Sequence, residues 1–64
     1  MRYLVEVGGS ESPFTYEADT APKAGDTIFN RREGVADAYI VRLFEPSHDD
    51  FDGVIKADWT GQVG

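Results

Sequence analysis

Apolar residues occupy both faces of one segment, which runs from Asp37 to Glu45 and is the most strand-prone part of the chain. A strand with one exposed face alternates apolar and polar residues, so this segment departs from the usual pattern. An unpaired arginine inside a small core is costly, and Arg42 therefore fixes which face points inward. The predicted core-facing residues are Tyr39, Val41 and Leu43. The predicted outward-facing residues are Ile40, Arg42 and Phe44.

Four shorter segments also have strand patterns. They run from Arg2 to Val7, Phe14 to Ala18, Thr27 to Phe29 and Val54 to Thr60, and the long strand extends from Val35 to Glu45. The first two should form a hairpin, because each presents aromatic or aliphatic side chains on one face. In the last strand, the residues expected to face inward are Ile55, Ala57 and Trp59.

Turn-forming residues separate these strands, including Gly8–Ser12, Asn30–Gly34 and Asp52–Gly53. Residues 47–51 have the composition of at most one short helical or 3₁₀ turn, with Ser47 as its N-cap. No other segment has helical periodicity. The pattern therefore predicts one all-β domain over residues 1–64, a five-stranded antiparallel barrel or strongly bent sheet.

One passage between strands resembles a motif of known folds. Pro22-Lys23-Ala24-Gly25-Asp26-Thr27-Ile28 is similar to the loop-to-strand sequence Pro-x-x-Gly-Asp-x-Ile of many SH3-like small barrels. A one-turn helix before the last strand is also part of that architecture. The resemblance implies an SH3-like fold and no particular activity, since such barrels serve many roles.

Composition narrows the classes of function. Twelve acidic and six basic residues give a net charge of −6, which repels phosphate backbones and favours solubility and basic partners. Such acidity is also typical of proteomes adapted to high salt. The chain has no cysteine, so disulfides and thiolate chemistry are excluded. Neither a signal peptide nor a membrane span is evident, and we expect a cytoplasmic protein without a membrane partner.

The outward face of the long strand is the main candidate for a functional surface. Apolar patches with polar rims often mark interfaces. The residues predicted to form such a patch are Phe29, Ile40, Arg42, Phe44 and Val54. We therefore predict a non-catalytic, acidic interaction module that binds a protein partner, or a second copy of itself, through an exposed strand face or edge. The alternative for this face is cover by the protein's own loops.

Three basic residues support a different class of function. Arg31 and Arg32, with Lys23 nearby, could contact phosphates while Phe29 or Tyr39 stacks on a base, as in barrels that bind single strands. The net charge makes nucleic acid an unfavoured partner. The abundant acids offer the opposite alternative, a protein that imitates nucleic acid.

A histidine beside several carboxylates is the one cluster with metal-binding composition. His48, Asp49 and Asp52 are weak candidates for cation ligands, but their spacing matches no known metal loop. A serine nucleophile would have to be Ser10, Ser12 or Ser47 acting with His48, and sequence neighbours seldom meet in the required geometry. A domain this small should also lack a cleft of about 300 Å³ or more. We expect no enzyme activity and no cofactor.

Overall fold

Five strands account for most of the structure, a computed structural model that describes residues 1–9, 12–46 and 48–63, leaving out the side chain of Arg32. The strands are β1 (Arg2–Val7), β2 (Phe14–Glu17), β3 (Thr27–Arg32), β4 (Val35–Glu45) and β5 (Gly53–Val63). None of the described residues is helical. Residues 47–51 were predicted to contain at most one short helical turn; the structure has bends over residues 49–52, and Ser47 lies outside the described residues.

The strands form one strongly curled half-barrel sheet in the order β2-β1-β5-β4-β3. This confirms the predicted all-β class and the strongly bent sheet. The pairs β1–β2, β3–β4 and β4–β5 are antiparallel, but β1 and β5 run parallel. The prediction of a wholly antiparallel sheet was therefore wrong at this one pair. An N-terminal hairpin docks on a C-terminal three-stranded meander, and the two strands that meet point the same way.

The core lies on the concave side of the half-barrel. Its fully buried members come from four strands and are Tyr3, Val5, Ile28, Tyr39, Val41, Ile55 and Ala57. Phe14 and Tyr16 of β2 pack against this cluster, and the Phe14 ring lies 5.0 Å from that of Tyr39. The predicted β1–β2 hairpin and the core face of both its strands are thus confirmed.

A bulge in β4 changes which side chains face the core. Val41 pairs with Ala57 and Leu43 pairs with Lys56, so Arg42 is an extra residue with no partner position on β5. An extra residue reverses the in–out alternation beyond it. Leu43 is consequently exposed, while Phe44 packs on the core with its ring 5.6 Å from that of Tyr3. The predictions that Leu43 is buried and Phe44 outward were both wrong.

Two predictions about β5 also need correction. Val54 points to the convex side, but it lies between Leu4 of β1 and Glu45 of β4 and is only 7% exposed. Trp59 lies opposite Tyr39, as an inward residue should, yet half of its surface is exposed. The half-barrel is open at this end, since β1 pairs with β5 only as far as Ala57.

The loop between β3 and β4 is shorter than expected. Arg32 pairs with Val35, which leaves Glu33 and Gly34 as a two-residue turn with φ angles of 50° and 82°. Positive φ at both positions matches the type I′ turn that suits tight hairpins. The predicted turn over Asn30–Gly34 was therefore too long, and β3 and β4 continue to the tip of the hairpin.

Candidate interaction surface

Exposed apolar side chains meet on the convex side of the β3–β4–β5 meander. Phe29 is 48%, Ile40 39% and Val63 54% exposed. Phe29 pairs with Ala38 and Ile40 with Thr27, so Phe29 and Ile40 are diagonal neighbours on one face. Val63 lies opposite Ala36 on the same face. We call this set of Phe29, Ile40 and Val63, with Ala36 and Ala38 between them, the convex patch.

A concavity of about 490 Å³ opens beside the convex patch at the tip of the β3–β4 hairpin. Phe29, Val35, Ala36 and Val63 line it with apolar surface, and its charged lining residues are Arg31 and Glu33. The expectation that so small a domain lacks a cleft of this size was therefore wrong. The strand pairs β3–β4 and β4–β5 extend beyond the end of β1, and the concavity lies along this extension.

The free edge of β3 borders the convex patch. Among the described residues, β3 pairs with β4 alone. The Val41 N–H donates to the carbonyl of Asp26 at 2.8 Å, so Asp26 directs its carbonyl towards β4. Backbone groups alternate in direction along an antiparallel strand, and those of Ile28 and Asn30 therefore also point to β4. The N–H and C=O groups of Thr27, Phe29 and Arg31 point to the open edge.

The predicted partner-binding residues divide into two groups. Phe29 and Ile40 lie together in the convex patch, and Arg42 is exposed farther along the same face of β4. The Arg42 guanidinium donates from Nη1 to Oδ2 of Asp58 at 2.9 Å. Val54 is buried and Phe44 is half-buried against the core, so neither belongs to the convex patch. Sequence reasoning missed Val63 because the predicted last strand ended at Thr60, whereas β5 continues to Val63.

The predicted nucleic-acid residues do not form one cluster in the part of the chain that the structure describes. Arg31 flanks Phe29, whereas Lys23 lies on the loop before β3, where its N–H donates to Oδ2 of Asp26 at 2.9 Å. Arg42 is six positions along β4 from the partner of Arg31, or about 20 Å at the usual strand rise. The structure does not describe the side chain of Arg32. Lys56, another basic residue, forms ion pairs with acidic side chains: its Nζ lies 3.8 Å from Oε1 of Glu6 and 3.6 Å from Oε1 of Glu45.

Two of the candidate metal ligands, His48 and Asp52, make other contacts. The His48 Nδ1 accepts a hydrogen bond from the Asp50 N–H at 3.0 Å, and its ring packs on Phe51. Asp52 accepts from the Arg2 N–H through Oδ2 at 2.7 Å. Within the described residues, no three histidine or acidic side chains are grouped to hold a metal ion. Ser12 is exposed, and Ser10 and Ser47 lie outside the description.

Comparisons with known proteins do not assign this chain to a family: no family model, curated protein or solved structure matches it. The SH3-like resemblance agrees with the all-β half-barrel class, and no neighbouring structure tests it further. The described residues include no helix with the length and apolar character needed to span a membrane.

Proposed function

We propose that this chain is a non-catalytic interaction module that binds a protein partner through the convex patch and the adjoining edge of β3. The observation that carries the proposal is the exposure of Phe29, Ile40 and Val63 on one face. Exposed apolar side chains are common when scattered, but a contiguous set beside an open strand edge is typical of interfaces. The concavity next to Phe29 would receive an apolar anchor side chain of the partner.

The chemistry of the surface also favours binding over catalysis. Among the side chains that the structure describes, the lining of the concavity holds one arginine and one glutamate and no histidine or serine. His48, the chain's single histidine, is exposed in the loop between β4 and β5. The concavity lies at the opposite end of this strand pair, where Ala36 pairs with Val63. A general base and a nucleophile would have to lie within hydrogen-bond reach of each other and of a bound substrate.

Site-specific photo-crosslinking tests the proposal directly. A benzophenone amino acid is placed at Phe29 or, as a matched control, at Leu43, which is equally exposed on the convex side at roughly 15 Å along β4. In cells that produce the natural chain, we expect a defined protein adduct from position 29 and none from position 43. Equal labelling from both positions, or no adduct from position 29, would contradict the proposal.

The adduct then supports a quantitative comparison with purified components. Phe29→Glu should weaken binding of the crosslinked protein by about tenfold or more, because it puts a charge into the centre of an apolar contact. Leu43→Glu makes the same chemical change at a position of similar exposure, 52% against 48%. It should leave affinity within about twofold of the natural chain. Titration calorimetry measures both, and circular dichroism verifies that each variant is folded.

A further inference from the structure

We infer that the edge of β3 beside the convex patch pairs with the same edge of a second copy of this chain, antiparallel, so that the two copies form one continuous sheet. This inference rests on the proposed function and specifies its partner. A two-fold axis perpendicular to the sheet makes the convex faces of both copies continuous. Residues that lie opposite each other must then be on the same face of the sheet. In the register centred on Phe29, this residue lies opposite Phe29 of the second copy.

The backbone of β3 suits this register. Phe29 directs its N–H and C=O to the open edge, so the two central residues can exchange both hydrogen bonds. The backbone groups of Thr27 and Arg31 also point to the open edge. Thr27 of one copy would pair with Arg31 of the second copy, and Arg31 with Thr27. The register forms up to about six intermolecular backbone hydrogen bonds and places two Phe29 rings side by side.

The other sheet edge does not compete well for this role. The edge strand β2 has only four residues, follows Pro13 and carries Glu17. Short strands, proline and charge are the features that protect edges from pairing. Pairing of β3 with a β2 edge would also be heterologous and would extend into a chain of molecules. Pairing of β3 with β3 closes after two copies.

The distribution of charge along the chain favours this edge for the approach of two copies. Residues 27–45, which form the β3–β4 hairpin, contain three basic and three acidic residues and are neutral. The remaining three basic and nine acidic residues carry the whole net charge of −6. Copies joined at β3 therefore bring neutral surfaces into contact and keep their acidic surfaces apart, where salt screens the remaining repulsion.

Amide NMR over a concentration series tests the register residue by residue. Between about 20 µM and about 1 mM, where weak dimers form, we expect the amides of Phe29 and Arg31 to shift and to gain protection from exchange. The amides of Ile28 and Asn30, already bonded to β4, should change little. Sedimentation should show tighter dimers as NaCl rises from about 50 mM to about 500 mM. Dimers that weaken with salt, or amides that stay unchanged, would overturn the inference.

Proline at an outward-pointing edge position gives an independent test with a matched control. Arg31→Pro removes an N–H that β4 does not use, and edge strands tolerate proline there. Arg31→Ala removes the same side chain and keeps the N–H. We expect Arg31→Pro to weaken dimers about tenfold or more relative to Arg31→Ala, since two intermolecular hydrogen bonds are lost by symmetry. Equal association of the two variants would rule out edge pairing.

The two proposals can fail separately. If the purified chain stays monomeric with unchanged amides while position 29 crosslinks a different protein, self-pairing is wrong and the interaction surface stands. If position 29 crosslinks nothing and the chain stays monomeric, both are wrong. If Arg31→Pro does not fold, the amide pattern of the natural chain still decides the register.

Discussion

Gly53, the first residue of β5, lies close to both an aromatic ring and the neighbouring backbone. A Cβ atom at this position would lie 2.7 Å from Cζ of Phe44 and 2.8 Å from the carbonyl oxygen of Glu45. The bulge at Arg42 turns Phe44 inward, and the missing side chain at Gly53 makes room for its ring. The two features therefore depend on each other.

Gly53→Ala should lower the free energy of unfolding by about 1–3 kcal/mol, because the backbone oxygen of Glu45 cannot move away as a side chain could. Urea unfolding followed by circular dichroism measures the change. Gly8→Ala is the matched control, since its Cβ would approach only the Oδ1 atom of Asp58 at 2.8 Å, at the end of a movable side chain. A loss as large in Gly8→Ala would show that the close contact at Gly53 is not responsible.

Trp59 stabilises the open end of the half-barrel through a polar contact. Its Nε1–H donates to Oδ1 of the buried Asp37 at 3.3 Å, while 50% of its surface is exposed. Trp59→Phe keeps an aromatic ring and removes the donor. We expect the free energy of unfolding to fall by about 1.5–3 kcal/mol, the usual value of a hydrogen bond to a charged group.

Two measurements check this view of Trp59. Urea unfolding of Trp59→Phe gives the stability change, and acrylamide should quench the native fluorescence of the natural chain, because this single tryptophan is accessible. Native fluorescence that acrylamide does not quench would instead indicate a fully buried tryptophan, as the strand pattern alone suggests.

At the scale of elements, the β3–β4 turn contains a residue that is poorly suited to its conformation. Glu33 has φ of 50°, a region that asparagine and glycine adopt more readily than glutamate. Glu33→Asn produces the Asn-Gly pair preferred in type I′ turns. We expect a gain in the free energy of unfolding of about 0.4–1 kcal/mol, measured by thermal unfolding. Glu33→Gln removes the same charge without the conformational preference, and it should gain clearly less.

The alternation of apolar and polar residues correctly predicted that these segments are strands. It predicted which side chains face the core only as far as the first bulge. Arg42 correctly fixed the phase of Tyr39 and Val41, because burying its guanidinium would have been costly. Beyond Arg42 the bulge shifted the phase by one residue, and Leu43 and Phe44 exchanged places. A bulge depends on how two strands pair and not on either strand's own pattern, so the residues of β4 alone could not reveal it.

The same limit applies to the candidate surface. Phe29 and Ile40 were predicted correctly as exposed, since both alternate with buried residues in their own strands. Val54 has an outward phase as well, but its neighbours in β1 and β4 cover it. Val63 joins the patch only because the second bulge, at Thr60 between Trp59 and Gly61, returns the end of β5 to that face. Strand order and register, which decide both cases, are long-range properties.

For the molecule as a whole, the net acidity lies outside the hairpin that carries Phe29 and Ile40. The neutral β3–β4 hairpin carries Phe29 and Ile40, and the rest of the chain carries all of the net acidity. Net charge keeps small proteins dispersed, so we expect contacts at the hairpin and its edge rather than on the acidic remainder. Composition predicted the acidity but not its placement relative to the exposed apolar residues.

The parallel pair at the centre of the sheet also constrains how the protein is made. β5 lies between β1 and β4, and it is the last of the five strands to be synthesised. Until it has left the ribosome, the N-terminal hairpin has no sheet to dock on, and a lone hairpin is marginal in water. Nascent chains that stop before residue 53 should therefore remain unfolded and accessible to proteases, and the domain acquires its structure only after translation has passed its final strand.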